Sequence, residues 1–194
     1  IFFWERTKNS QDRRDSISKI KKKITEFEAE LNNENQKNKS LTYRRTYSFL
    51  QELLLPKITL RSNDLDKQPI QENSPFPDIT AIQQTLQKLG FFKAQVSRQF
   101  DENTRKAVEQ FQHLRNLKTV GYVDSQTWDA MQSELTKKQL QKTVEVLRII
   151  LQTQNDEQIE ENIRKLQDCK QNAFRYLNCV ENLRAKIQAS KANK

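Results

Sequence analysis

The chain has 194 residues, enough for one or two domains with a real core, but 35% are hydrophobic against 30% charged, a balance that suits elongated helices with one buried stripe each. Two glycines and four prolines are too few for a hairpin-rich sheet fold and exclude a glycine-rich phosphate loop or dinucleotide fingerprint. The net charge of +9 points toward nucleic acid or an anionic membrane, yet its distribution is uneven: Lys+Arg against Asp+Glu is 12 to 8 over residues 1–55, 3 to 3 over 56–77, 7 to 7 over 78–135 and 12 to 7 over 136–194.

Ile1, Phe2, Phe3 and Trp4 open the sequence as an apolar cluster without a methionine, the expectation being a processed or truncated product. Phe2, Phe3 and Trp4 are read as an anchor on a partner or the stub of a removed targeting segment. No run approaches the ~20 apolar residues of a membrane span. Over 16–36, Ile17, Ile20, Ile24, Phe27 and Leu31 recur at steps of three and four, which predicts a helix with Ser16 as its N-cap, fraying at Asn32–Asn35. A second helix is predicted from about Ser40 to Leu55, with Tyr43, Tyr47, Leu50 and Leu54 on one face and Pro56 as its stop. The two helices are expected to fold back as a hairpin. Residues 56–77, with Pro69, Pro75 and Pro77 among polar residues, read as a linker, with Ile58, Leu60, Leu65 and Ile70 able to pin it along a surface.

The stretch 78–135 reads differently. A first helix starts at Asp78 or Thr80, carries Ile79, Ile82, Leu86 and Leu89, and stops at Gly90 in a left-handed cap. A second begins at the N-cap Asp101, with Thr104 three residues on, and buries Ala107, Val108, Phe111 and Leu114; a third begins at Asp124 with Thr127, Trp128 and Met131. Phe100-Asp101, Thr104 and Ala107 recur 23 residues later as Val123-Asp124, Thr127 and Ala130, an apolar residue before each capping aspartate pinning the helix entry. The strings Leu86-Gln87-Lys88-Leu89-Gly90-Phe91-Phe92, Thr104 with Ala107-Val108, Phe111-Gln112 and Thr127-Trp128 resemble the peptidoglycan-binding-like domain family, over about 58 residues. The resemblance implies a three-helix fold with Leu86, Leu89, Val108, Phe111 and Trp128 in its core. It also implies glycines at Ala94, Arg98, Asp101 and Asp124 and aspartates at Ser97 and Val120; Gly121 alone survives among the loop glycines. Glycine there lets backbone approach a ligand, so the departures imply altered loop surfaces on a retained core.

Beyond the module, Leu140, Val144, Leu147 and Leu151 form another stripe, thickened by Val146, Ile149 and Ile150, and residues 154–156 break it, with Asp156 capping the next helix. Ile159, Ile163, Leu166, Cys169, Ala173, Leu177, Val180, Leu183 and Ile187 then read as one long helix with a coiled-coil seam. That seam serves an internal hairpin with the preceding helix or, through Leu166, Leu177, Val180 and Leu183, a partner chain. On one helix Cys169 and Cys179 would sit roughly 15 Å apart, against ~4.4–6.8 Å between bridged Cα atoms, so they are expected to be buried free thiols. Their spacing also resembles half of a twin CX9C motif whose second pair is absent.

His113 is the only histidine, too little for a zinc hydrolase or a catalytic triad. Asp101 and Asp124 have a better reading as N-caps than as an acid/base pair. No catalytic, metal or cofactor residue is expected. Lys19, Lys21, Lys22, Lys23 and Tyr43-Arg44-Arg45 are able to touch phosphates, although no base-stacking platform accompanies them. The reading is therefore all-α: an N-terminal helical arm (1–55), a linker (56–77), a peptidoglycan-binding-like module (78–135) and a C-terminal helical hairpin (136–194). The expected function is that of a non-enzymatic accessory subunit contacting other proteins of a large assembly, in a mitochondrion or plastid. Binding of peptidoglycan by a bacterial or phage wall module is the alternative, and RNA contact through the basic arms a third.

Overall fold

A computed structural model describes residues 10–31, 41–60, 64–152 and 156–192. The described residues form seven helices: α1 (Ser10–Leu31), α2 (Leu41–Leu54), α3 (Phe76–Leu89), α4 (Glu102–Leu114), α5 (Ser125–Leu151), α6 (Asp156–Cys169) and α7 (Tyr176–Ala192). The fold is all-helical, as the glycine shortage and the apolar periodicity required. The chain divides into two compact units, Lys57–Lys138 and a second made of Ile1–Pro56 with Gln139–Lys194. Both ends of the chain thus build one unit instead of two separate arms. Helix α5 contributes its first half to one unit and its second half to the other, with no break between the predicted third module helix and the stripe that follows.

In the unit of the two ends, every described apolar stripe turns inward onto a common core. Ile17, Ile20 and Ile24 of α1 meet Leu50 and Leu54 of α2, Leu140, Val144, Leu147 and Ile150 of α5, and Ile159, Ile163 and Leu166 of α6, with Val180, Leu183 and Ile187 supplied by α7. Helix α1 starts at Ser10, six residues before the predicted cap. The side chains of Ser16, Phe27, Leu31, Tyr43 and Tyr47 lie outside the described residues. Tyr176, which periodicity did not single out, is fully buried, with its hydroxyl 2.6 Å from Thr143 Oγ1. Burial pushes its phenol well above the ordinary tyrosine range, only partly offset by that hydrogen bond.

The single long C-terminal helix is corrected to two, and the free thiols to a disulfide. Cys169 ends α6, turns occupy 170–175, and α7 opens at Tyr176. Asn172 makes the break: its Oδ1 accepts from the backbone N–H of Arg175 at 3.1 Å, the short-range capping that lets asparagine compete with helix. The folded-back chain brings the Cα atoms of Cys169 and Cys179 to 5.6 Å and the two are bonded. The 15 Å separation assumed a continuous helix, and that assumption fails at Asn172. Reducing the bond, or Cys179→Ser, should lower this unit's stability by about 2–3 kcal/mol by freeing a loop in the unfolded chain. A urea midpoint that moves down on reduction, with a slope that holds or steepens slightly as the unfolded chain expands, is the expected reading.

In the Lys57–Lys138 unit, α3, α4 and the first half of α5 enclose a second core of Ile79, Ile82, Leu86, Phe92, Ala107, Val108, Phe111, Val123, Trp128 and Met131. The predicted linker belongs to this unit. Leu65 and Ile70 are buried in its core, Ile58 and Leu60 pack against it, and Ile70 exchanges two backbone hydrogen bonds with Val123 at 2.9 and 3.0 Å. Helix α3 begins at Phe76, two residues before the predicted cap, because Pro75 and Pro77 hold the entry without using amide protons. Asp78 therefore lies inside the first turn, buried. Gly90 is the left-handed cap, φ +94°. Leu114, expected in the core, is 60% exposed. The chain leaves the helix just after it, through Arg115 and the positive-φ Asn116, and Leu117 packs against the core in its stead.

Candidate functional site

The loops of the module are fixed from inside by two buried glutamines. Gln83 of α3 donates from Nε2 to the Gln99 carbonyl at 2.9 Å and to Thr104 Oγ1 at 2.8 Å, and its Oε1 accepts from the Ser97 amide at 2.7 Å. Gln112 of α4 repeats the device: Nε2 donates to the Tyr122 carbonyl at 2.9 Å and Thr127 Oγ1 at 3.0 Å, and Oε1 accepts from the Val120 and Gly121 amides at 3.0 and 3.1 Å. Both side chains have no exposed surface. Each ties one helix, the loop after it, and the third residue of the next helix. Buried amides satisfied at every donor and acceptor hold one loop geometry, because breaking any bond leaves an unpaired polar group.

The aspartates at the next helix entries complete each latch. Asp101 Oδ1 accepts from the Thr104 amide and hydroxyl at 2.8 and 2.7 Å, and Asp124 Oδ1 from the Thr127 amide at 2.8 Å. The apolar residues before them, Phe100 and Val123, are buried. For Asp101 partial burial raises the carboxyl's pKa, but the hydrogen bonds from Thr104 outweigh it and the net shift is downward. A carboxyl depressed in the folded state stabilises fully above the unfolded value near pH 4 and loses that contribution as pH falls through its folded value. Asp101→Ala should accordingly cost about 1 kcal/mol at neutral pH. That difference should shrink in melts run progressively below pH 4.

Gly121 has a structural duty. Its φ is +76°, and a Cβ there would lie 2.9 Å from Glu109 Oε1 and 3.0 Å from Arg105 Cγ, so conformation and packing both favour glycine at this position. On the surface, Phe76 is 54% exposed, with the Arg98 guanidinium 5.0 Å from its ring centroid. Arg115 lies 5.6 Å from the Phe111 ring centroid and 6.0 Å from that of Phe91, and pairs with Glu134 at 3.0 Å. His113 is exposed and lines a shallow groove of about 320 Å³ with Glu109, Gln110, Leu114 and Thr119.

Of the core residues read from sequence, Leu86, Val108 and Phe111 are fully buried, Trp128 is 9% exposed, and Leu89 packs half-buried at the margin. Of the residues read as partner-binding, Leu166, Val180 and Leu183 are buried inside the chain's own core and Leu177 is half-buried. This corrects the notion of a seam left open for a partner. Helix α7 folds back at Asn172 and buries its stripe internally. Phe2, Phe3 and Trp4 lie outside the described residues. Sequence reading missed Gln83. Its signal is the pair Ile82-Gln83 answering Phe111-Gln112, hidden because the glutamines lie 29 residues apart and the aspartates 23.

Residues 77–131 match the family described as "Putative peptidoglycan binding domain". No curated protein matches the chain, and no solved structure does. The matched segment is a little over a quarter of the 194 residues. It begins one residue after α3 starts and ends at Met131, the last α5 residue of the module core. Residues 77–131 are a peptidoglycan-binding-like domain.

Proposed function

We propose that the chain is a non-catalytic accessory protein whose module contacts another protein. The observation that carries this reading is the module's surface. Among the described residues, Phe76 and Leu114 are the exposed large hydrophobic side chains, and both belong to the Lys57–Lys138 unit. Each stands among polar groups, Phe76 against Arg98 and Leu114 in the shallow groove with Glu109, Gln110, His113 and Thr119, and an apolar side chain within a polar rim is the pattern of a protein contact. Meanwhile, the Ser97, Val120 and Gly121 amides and the Gln99 and Tyr122 carbonyls are engaged by Gln83 and Gln112. The one loop glycine is occupied by packing. The Cys169–Cys179 bond supports a working place where disulfides persist, such as a secreted, periplasmic or otherwise oxidising space. The test is native migration of the tagged chain in its host. The wild type should run within a larger complex, and Phe76→Ser with Leu114→Ser should run at the size of the free chain. Unchanged migration of the double variant would refute the contact surface.

A second reading, binding of cell-wall peptidoglycan, rests on the family match at 77–131, and the disulfide is compatible with it. It requires a ligand surface on the loops that departs from the glycine-rich pattern of the family it resembles.

A further inference from the structure

We propose that the Cys169–Cys179 bond holds α7 on its own chain and that, once the bond is reduced, α7 is exchanged with that of a second copy to give a dimer. The buried faces of α6 and α7 keep one heptad register across the turn between them. Ile159, Leu166, Val180 and Ile187 are buried and separated by multiples of seven residues, with the half-buried Ala173 at the missing position. Cys169, Tyr176 and Leu183, also buried and seven residues apart, form the companion row. One continuous helix over 156–192 would present both rows as a single seam. The turn raises no obstacle, since 170–175 contain neither glycine nor proline. Straightening it replaces short-range bonds, such as the long one from Asn172 N–H to the Cys169 carbonyl at 3.4 Å, with regular helical ones.

The disulfide forbids that helix. Its Cα atoms are 5.6 Å apart, against roughly 15 Å for ten residues of continuous helix. A small dithiol removes the tie: its thiolate attacks Cys179 Sγ, half-buried on the cleft between the helices, and Cys169 leaves as a thiolate. The reagent's second thiol then closes its own disulfide and frees Cys179, so two electrons and two protons pass to the protein. Released alone, α7 would lose the burial of Tyr176, Val180, Leu183 and Ile187, the Tyr176–Thr143 hydrogen bond and the pairs Lys142–Glu181 and Arg184–Glu145. Seated on a second copy it regains all of them, because the receiving surface is identical, and this selects a second copy as the occupant. In that dimer Cys179 of each chain lies against Cys169 of the other.

The experiment holds the full chain at high concentration in urea just below its unfolding midpoint, with or without dithiothreitol, removes the urea, and reads mass by size-exclusion chromatography with light scattering. The reduced chain is expected at twice the mass of the oxidised one. Removing the reductant should then lock the dimer on a non-reducing denaturing gel, with peptide mapping placing the link between Cys169 and Cys179. Ala173→Pro, which bars a continuous helix, should stay monomeric when reduced while its oxidised form keeps the parent's circular dichroism. Ala173→Gly, which weakens the helix without barring it, should give less dimer and keeps the test valid if the proline variant fails to fold. A reduced chain that stays monomeric, an oxidised chain that dimerises equally, or an undiminished dimer from both Ala173 variants would each overturn the proposal.

Discussion

Phe111→Ala is expected to cost the Lys57–Lys138 unit about 3–5 kcal/mol, the range for truncating a fully buried aromatic. Phe111 has no exposed surface, stands edge-on to Phe91 with ring centroids 5.3 Å apart and lies beneath the Arg115 guanidinium. Its removal takes away area, an aromatic pair and a cation–ring contact together. A loss of this size is a large share of a small unit's total stability. Trp128 reports on the same core. Urea melts followed by its emission, in a Trp4→Phe background, should show the transition shifted steeply or absent. A midpoint within error of the parent would mean the core is misplaced.

Gln112→Leu should be comparably damaging although it keeps side-chain volume. It strips partners from the Val120 and Gly121 amides, the Tyr122 carbonyl and the Thr127 hydroxyl. A buried polar group left unpaired costs about 1–3 kcal/mol, so the total should reach roughly 3–5 kcal/mol, allowing for water reaching the partly exposed loop. Gln112→Glu distinguishes lost hydrogen bonding from lost packing. It keeps both acceptor contacts but sets an oxygen against the Tyr122 carbonyl, so acidification that protonates the new carboxyl should recover part of the loss. If Gln112→Leu melts with the parent, the latch has no energetic role.

Local chemistry in the module was readable from sequence because it is written in adjacent residues. Gly90 after a leucine stripe, Asp101 and Asp124 ahead of threonine, and the apolar residue before each aspartate specify caps without reference to the rest of the fold. Long-range pairings were not readable. Gln83 and Thr104 are 21 residues apart, and nothing in a helical pattern separates a glutamine that faces solvent from one that faces a loop. Periodicity failed at α6–α7 for a related reason. The heptad-like spacing continues smoothly through 170–175, so only Asn172, a residue able to cap its own turn, marks the fold-back. The assignment of 56–77 to a linker failed because Leu65 and Ile70 are isolated in a polar stretch, and burial of single residues leaves no period to read.

The most direct test of the protein-contact reading is sedimentation of the full, oxidised chain with purified, insoluble peptidoglycan at moderate salt, across a range of wall concentrations. The account predicts that the chain stays in the supernatant, apart from a weak fraction released by added salt, as the net charge of +9 would give. Saturable, salt-resistant co-sedimentation that is lost on substituting loop residues such as Arg98 or Tyr122 would contradict it and establish the module as a wall-binding domain.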